Sequence, residues 1–174
     1  MHIAPPVSLL APSLWLGGPA RETANEEISR ILRAYLIAVV VDEDWYCREY
    51  PDVLEQIKSG ALSSATEHYV SSGYLEGRMP IYVEVDDRWY FDAYTDLLAA
   101  KNDGLLVDGN THFRDSGYLE GRLPWRPVID EKWYLKTYPE AKKDIDRGDF
   151  INCEEHFVKS GYVRGYFPHR PAMK

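Results

Sequence analysis

The sequence predicts an all-α protein, an array of three 44-residue repeats of short helices capped by an N-terminal amphipathic helix. Three observations lead there. The heptapeptide SGYLEGR stands at Ser72–Arg78 and again at Ser116–Arg122, with SGYVRGY at Ser160–Tyr166. The segments around these heptapeptides align at a constant spacing of 44 residues with no insertion. Each copy also carries helix start and stop signals at the same places.

The register is dense. Asp42, Asp86 and Asp130 correspond, as do Trp45, Trp89 and Trp133, each followed by a tyrosine (Tyr46, Tyr90, Tyr134). Tyr50, Tyr94 and Tyr138 match, then His68, His112 and His156, then Gly73, Gly117 and Gly161, and last Pro80, Pro124 and Pro168. Copies without a gap fix loop lengths as well as helices, which stacked repeats in contact require.

Within a copy, Asp42 suits a helix N-cap, and the acids after it suit the positive end of the helix dipole. Pro51 cannot sit inside that helix but fits the first turn of a new one. A break is therefore expected near Tyr50, then a helix through Lys58 ending at Gly60. Thr95 replaces the proline in the second copy, so a softer break is expected there. The next helix starts at Ser64–Glu67, which reads as a capping box. Asn152 and Glu155 repeat it, and Asp108 caps the second copy. Gly73, Gly117 and Gly161 are expected in the left-handed position after that helix, where a Cβ would be strained. In the last copy Glu-Gly-Arg becomes Arg164–Gly165–Tyr166. If Glu76 and Arg78 touch the following repeat, the terminal copy has no successor to need them.

Ahead of the repeats, Thr23 and Glu26 form another capping box. Ile28, Ile31, Leu32, Tyr35, Leu36 and Val39 then keep helical spacing over three turns. This helix is expected to cover the open end of the first repeat. The expected organisation is an apolar arm (1–21), a capping helix (22–40), and repeats at 41–84, 85–128 and 129–174. Together they are expected to form one cooperative domain.

A net charge of −8 disfavours nucleic acid and anionic membrane as partners, because polyanions are repelled. Two cysteines, Cys47 and Cys153, fall at non-equivalent positions and read as free thiols rather than a disulfide framework. The N-terminal stretch lacks a basic region and is broken by Pro5, Pro6 and Pro12, which argues against a signal peptide. No run is long enough for a membrane-spanning helix. A cytoplasmic location is the expectation, and the oligomeric state is left open.

The string DxxWYxxxYPD…HYxxxGYxEGRxP resembles a module of bacterial proteins of cell-surface polysaccharide assembly. There it occurs beside glycosyltransferase domains, in large secreted proteins and as short stand-alone arrays. The resemblance covers about residues 41–168. It implies an accessory or scaffolding part in envelope glycan synthesis, and a protein partner such as a glycosyltransferase. It transfers no catalytic residue.

The residues that carry chemistry each have a structural reading. His68, His112 and His156 would have to converge to ligate a metal or act as bases, but equivalent positions in stacked repeats form a row. They are expected to pack against the preceding helix, each bonded to a backbone carbonyl. Trp45, Trp89 and Trp133 recur rigidly at a helix start and read as core, with Arg78 and Arg122 likewise structural. The aromatics outside the register (Trp15, Tyr82, Trp125, Phe167) are the better candidates for a ligand surface. Asp42–Asp44 and Asp86–Asp87 are explained by helix N-termini without glycosidic chemistry. Asn102–Asn110 lacks the ligand spacing of a calcium loop. No nucleotide, zinc or serine-nucleophile motif is present.

The expected function is a non-catalytic protein-interaction or scaffolding module without cofactor or metal. The alternatives are a carbohydrate-binding module built on exposed aromatics, and a glycan-modifying enzyme centred on the histidines.

Overall fold

The computed structural model describes residues 29–171, and these are helical, with no strand among them. They group into two compact units, one ending at Val83 and one starting at Glu84. The first copy lies in the first unit and the other two in the second. The predicted capping box at Thr23, the arm and Ile28 lie outside the described residues.

In the first unit, α1 (residues 29–36) precedes α2 (Glu43–Glu49), α3 (Pro51–Lys58) and α4 (Ala65–His68), which widens into a π-helical turn at Tyr69–Gly73. The second unit repeats the last three twice. First come α5 (Asp87–Ala93), α6 (Leu97–Asn102) and α7 (Gly109–His112), with a π turn at Phe113–Gly117. Then come α8 (Glu131–Thr137), α9 (Pro139–Asp146) and α10 (Cys153–His156), with a π turn at Phe157–Gly161.

The helix starts follow the sequence signals. Asp42, Asp86 and Asp130 accept the backbone N–H of Trp45, Trp89 and Trp133 at 2.9, 3.1 and 3.1 Å. The break falls at the tyrosine in all three copies, with Tyr50 at φ −121°, Tyr94 at −116° and Tyr138 at −120°. Thr95 does not soften it. It only delays the next helix, which begins at Leu97 instead of at a proline. Ser64 accepts from Glu67 N–H at 3.0 Å, but the Glu67 carboxylate reaches one residue further back than a capping box requires, to Ser63 N–H at 2.7 Å. Glu155 does the same to Ile151.

The glycine of SGY needs a correction. Gly73, Gly117 and Gly161 do not have positive φ; the left-handed glycines are Gly60, Gly77, Gly104, Gly121, Gly148 and Gly165. The helix does not stop at Gly73. It widens, with Tyr74 N–H donating five residues back to Tyr69 and Arg78 N–H to Gly73, a π-type step. The glycine is required by proximity: a Cβ on Gly73 would overlap the Tyr46 hydroxyl and lie 3.0 Å from His68 Nδ1.

Each copy closes on itself. Asp42, Asp86 and Asp130 donate their N–H to the carbonyls of Pro80, Pro124 and Pro168 at 2.9, 2.9 and 3.0 Å. The Tyr50, Tyr94 and Tyr138 hydroxyls accept from Met79, Leu123 and Phe167 N–H. The first core joins Leu36, Tyr46, Val53, Ala65, Tyr69 and Tyr74, with Leu32 and Val39 packed against it. Thus α1 does cover the first copy, but on a narrower stripe than predicted. Leu32, Leu36 and Val39 face the core, while Ile31 and Tyr35, to one side of that seam, are exposed.

Candidate functional site

Each register histidine is paired with the tyrosine 22 residues before it. Tyr46, Tyr90 and Tyr134 hydroxyls lie 3.1, 2.9 and 2.9 Å from Nδ1 of His68, His112 and His156. The partner is therefore a side-chain hydroxyl and not the expected backbone carbonyl. His156 Nε2 faces the Asp144 carboxylate at 3.5 Å. A carboxylate only accepts, so the ring proton belongs on Nε2, and Nδ1 accepts from Tyr134. Burial lowers all three histidine pKa values and raises those of the partner tyrosines, so both rings are neutral at pH 7. Among the described residues no three His, Cys, Asp or Glu side chains gather in a metal-binding group.

The arginines of EGR act within their own copy, which corrects the expected contact with the next repeat. Arg78 forks onto Asp52 at 2.9 and 2.8 Å, bonds Glu76 at 2.6 Å and covers the Tyr50 ring at 4.8 Å. Arg122 does the same with Asp96, Glu120 and Tyr94. Beside Arg78 and Arg122, the Asp52 and Asp96 carboxyls are held below their usual range. In the last copy Tyr166 takes the arginine's place and stacks flat on Tyr138, with centroids 3.9 Å apart and planes at 2°. The terminal change thus swaps a cation for a ring over the same tyrosine. Arg122→Met is expected to cost about 1–2 kcal/mol through lost ion pairs and packing, and exposed Arg164→Met less than about 0.5 kcal/mol. Urea denaturation midpoints check both.

The candidate ligand aromatics are scattered. Trp15 lies outside the described residues. Tyr82 is half exposed and sits 6.5 Å from Trp45, both in the first unit. Trp125 is half-buried and Phe167 is exposed. The position that places Tyr82 at Trp45 holds Arg126 in the next copy. Arg126 Nε bonds both Glu154 oxygens at 3.0 and 2.9 Å, and Trp89 Nε1 donates to Glu154 at 3.3 Å. These residues, with Asp92, Asn152 and Lys159, line a groove of about 370 Å³ joining the second copy to the third.

A second groove, of about 540 Å³, opens in the first unit between α2, α3 and the start of α4. Cys47, Pro51, Leu54 and Ile57 form its apolar wall, with Glu43, Asp44 and Arg48 at its rim. Glu43 is engaged there, accepting from Ala65 and Thr66 N–H at 2.7 and 3.0 Å and so capping α4. Burial raises its pKa, but the bonds from Thr66 and Ala65 outweigh this and leave it lowered. The sequence reading missed both grooves and the Asp52, Asp96 and Glu154 partners. The Tyr–His spacing of 22 and Asp–Arg spacing of 26 do recur in the register, so that signal was present. Compared with protein-family models, curated proteins and solved structures, the chain matches none.

Proposed function

We propose that the chain is a non-catalytic helical binding module that presents grooves to a protein partner. One observation carries this reading. The residues identical in all three copies are largely spent on bonds and packing within the copy, whereas those lining the grooves, Trp89 apart, differ from copy to copy. Cys47 becomes Phe91 and Leu135, Ser63 becomes Val107 and Ile151, and Tyr82 becomes Arg126 and Arg170. A common interior with unlike surfaces suits recognition, and histidines whose Nδ1 is taken by a tyrosine hydroxyl of the same copy are poorly placed to exchange protons with a substrate. The resemblance of the repeated string adds the context: an accessory to cell-surface polysaccharide assembly, with a glycosyltransferase as partner. Among the described residues no helix is long and apolar enough to cross a membrane.

The full chain immobilised as bait should retain a glycosyltransferase from an extract of its source cells. Purified, that enzyme should bind the full chain directly. Failure of the purified pair to associate overturns the reading.

The Trp89 groove favours a second reading, carbohydrate binding, because an indole wall with carboxylate, amide, arginine and lysine neighbours suits a sugar ring. Oligosaccharide titration would then quench tryptophan fluorescence, and Trp89→Ala would abolish the response.

A further inference from the structure

The groove beside Cys47 exists because one copy leaves empty a place that its equivalents fill. The helices α2, α5 and α8 have the same length, the same Asp cap and the same tyrosine break, so corresponding side chains leave comparable backbones. In the second copy the position of Cys47 holds Phe91, 4% exposed, with Lys101 Nζ 3.6 Å from its ring centroid. In the third copy it holds Leu135, packed on the local core. In the first it holds only a thiol, and Ile57 stands where Lys101 would supply the cation.

The rim is also altered. Asp44 occupies the position of Arg88 and Lys132, an acid where both equivalents are basic, while Arg48 stands where they hold Asp92 and Lys136. Glu43 stands beside it, and Arg48 is the single base on the rim. The first copy therefore lacks the bulky apolar side chain of both equivalents and the cation that covers Phe91, and it carries a carboxylate where they carry a base.

We propose that this groove is a socket for a partner polypeptide. It takes one Phe- or Leu-sized side chain against Cys47, Leu54 and Ile57, and a neighbouring Lys or Arg against Asp44. The inference rests on the binding-module reading and names the chemistry its partner offers. A groove of this size with a mostly apolar wall and few polar groups is of ligand-binding dimensions. A buried apolar anchor beside a charge pair is the usual source of affinity and register. Cys47 serves as wall rather than nucleophile. Burial, with Glu43 and Asp44 close by, raises its pKa and keeps it a thiol.

The test uses the full chain and a random peptide display library. Cys153 is buried and Cys47 partly open, so alkylation of Cys47 reports on the socket. Selected peptides should carry Phe or Leu beside Lys or Arg and slow Cys47 alkylation about tenfold at saturation. Cys47→Phe, and Cys47→Leu should the first variant misfold, should abolish binding without lowering the melting temperature. Asp44→Lys leaves the volume intact and should weaken binding about tenfold.

Peptides that bind Cys47→Leu as tightly as the wild type remove the socket while leaving the binding-module reading standing. Enrichment of no peptide, or of peptides without the apolar–basic pair, overturns the proposal. Cys47 already protected, and released by Trp15→Asp, would name the chain's own N-terminal arm as occupant. Protection that grows with protein concentration would name a second copy. Either result overturns it too.

Discussion

Gly73→Ala is expected to destabilise the first unit by about 3 kcal/mol, well beyond the usual cost of a single methyl group. The added Cβ would land on the Tyr46 hydroxyl. That oxygen cannot retreat, because Tyr46 is fully buried and its hydroxyl is bonded to His68. The methyl must therefore break the Tyr–His pair or push the π turn away from α2. Gly60→Ala is the control. Nothing lies within 4 Å of its Cβ, but φ is +78°, so only backbone strain of about 1 kcal/mol is expected. The cause separates from the effect in a double-mutant cycle. Tyr46→Phe removes the oxygen, and on that background the Gly73→Ala penalty should fall by about half. Urea denaturation of the four proteins measures it. Equal penalties with and without the hydroxyl would show that Gly73 is needed for some other reason.

Acid should unfold the protein in two stages, and the first belongs to the histidines. Their folded pKa values lie below the ordinary 6.5, with burial as the main cause. The unfolded chain therefore binds protons first as pH falls, and stability drops from about 6.5 down to the lowered folded values. Above 6.5 this loss is absent. With a histidine in every copy, the melting temperature should slope downward over this window. His156→Gln should flatten the slope while lowering the neutral-pH melting temperature. The second stage belongs to carboxylates with lowered folded pKa values, chiefly Asp52 and Asp96 on their arginines. Their contribution is present above the ordinary carboxylate pKa of 3.8 and is lost as pH falls below it. Arg122→Met should remove part of the second stage and also weaken the first, because the Arg122 charge helps to hold the His112 pKa down.

The helices were legible because their signals are local. An aspartate three residues before a backbone N–H, or a proline that must stand at a helix start, acts over one turn of chain. The π turn was not legible, because its cause is distant in sequence. Gly73 looks like an ordinary helix stop until the Tyr46 hydroxyl, 27 positions earlier, is seen to occupy the space of its Cβ. The EGR arginine misled for a similar reason. Its loss in the last copy suggested a missing neighbour, but Asp52 and Tyr50 show that its partners are internal. The Cys47 groove was hidden because it is made by a small residue. A cysteine among matched aromatics reads as a neutral substitution until its counterpart Phe91 is found buried beneath Lys101.

The bond from each aspartate N–H back to the proline carbonyl near the end of the same copy gives every 44-residue segment a clasp of its own. A chain so fastened can gain or lose a whole segment without opening the clasp of any other, at the cost only of side-chain bonds such as that from Arg126 to Glu154. Its length is then free to follow the number of surfaces it must offer, and each new segment can diverge on the outside while its fastening stays fixed.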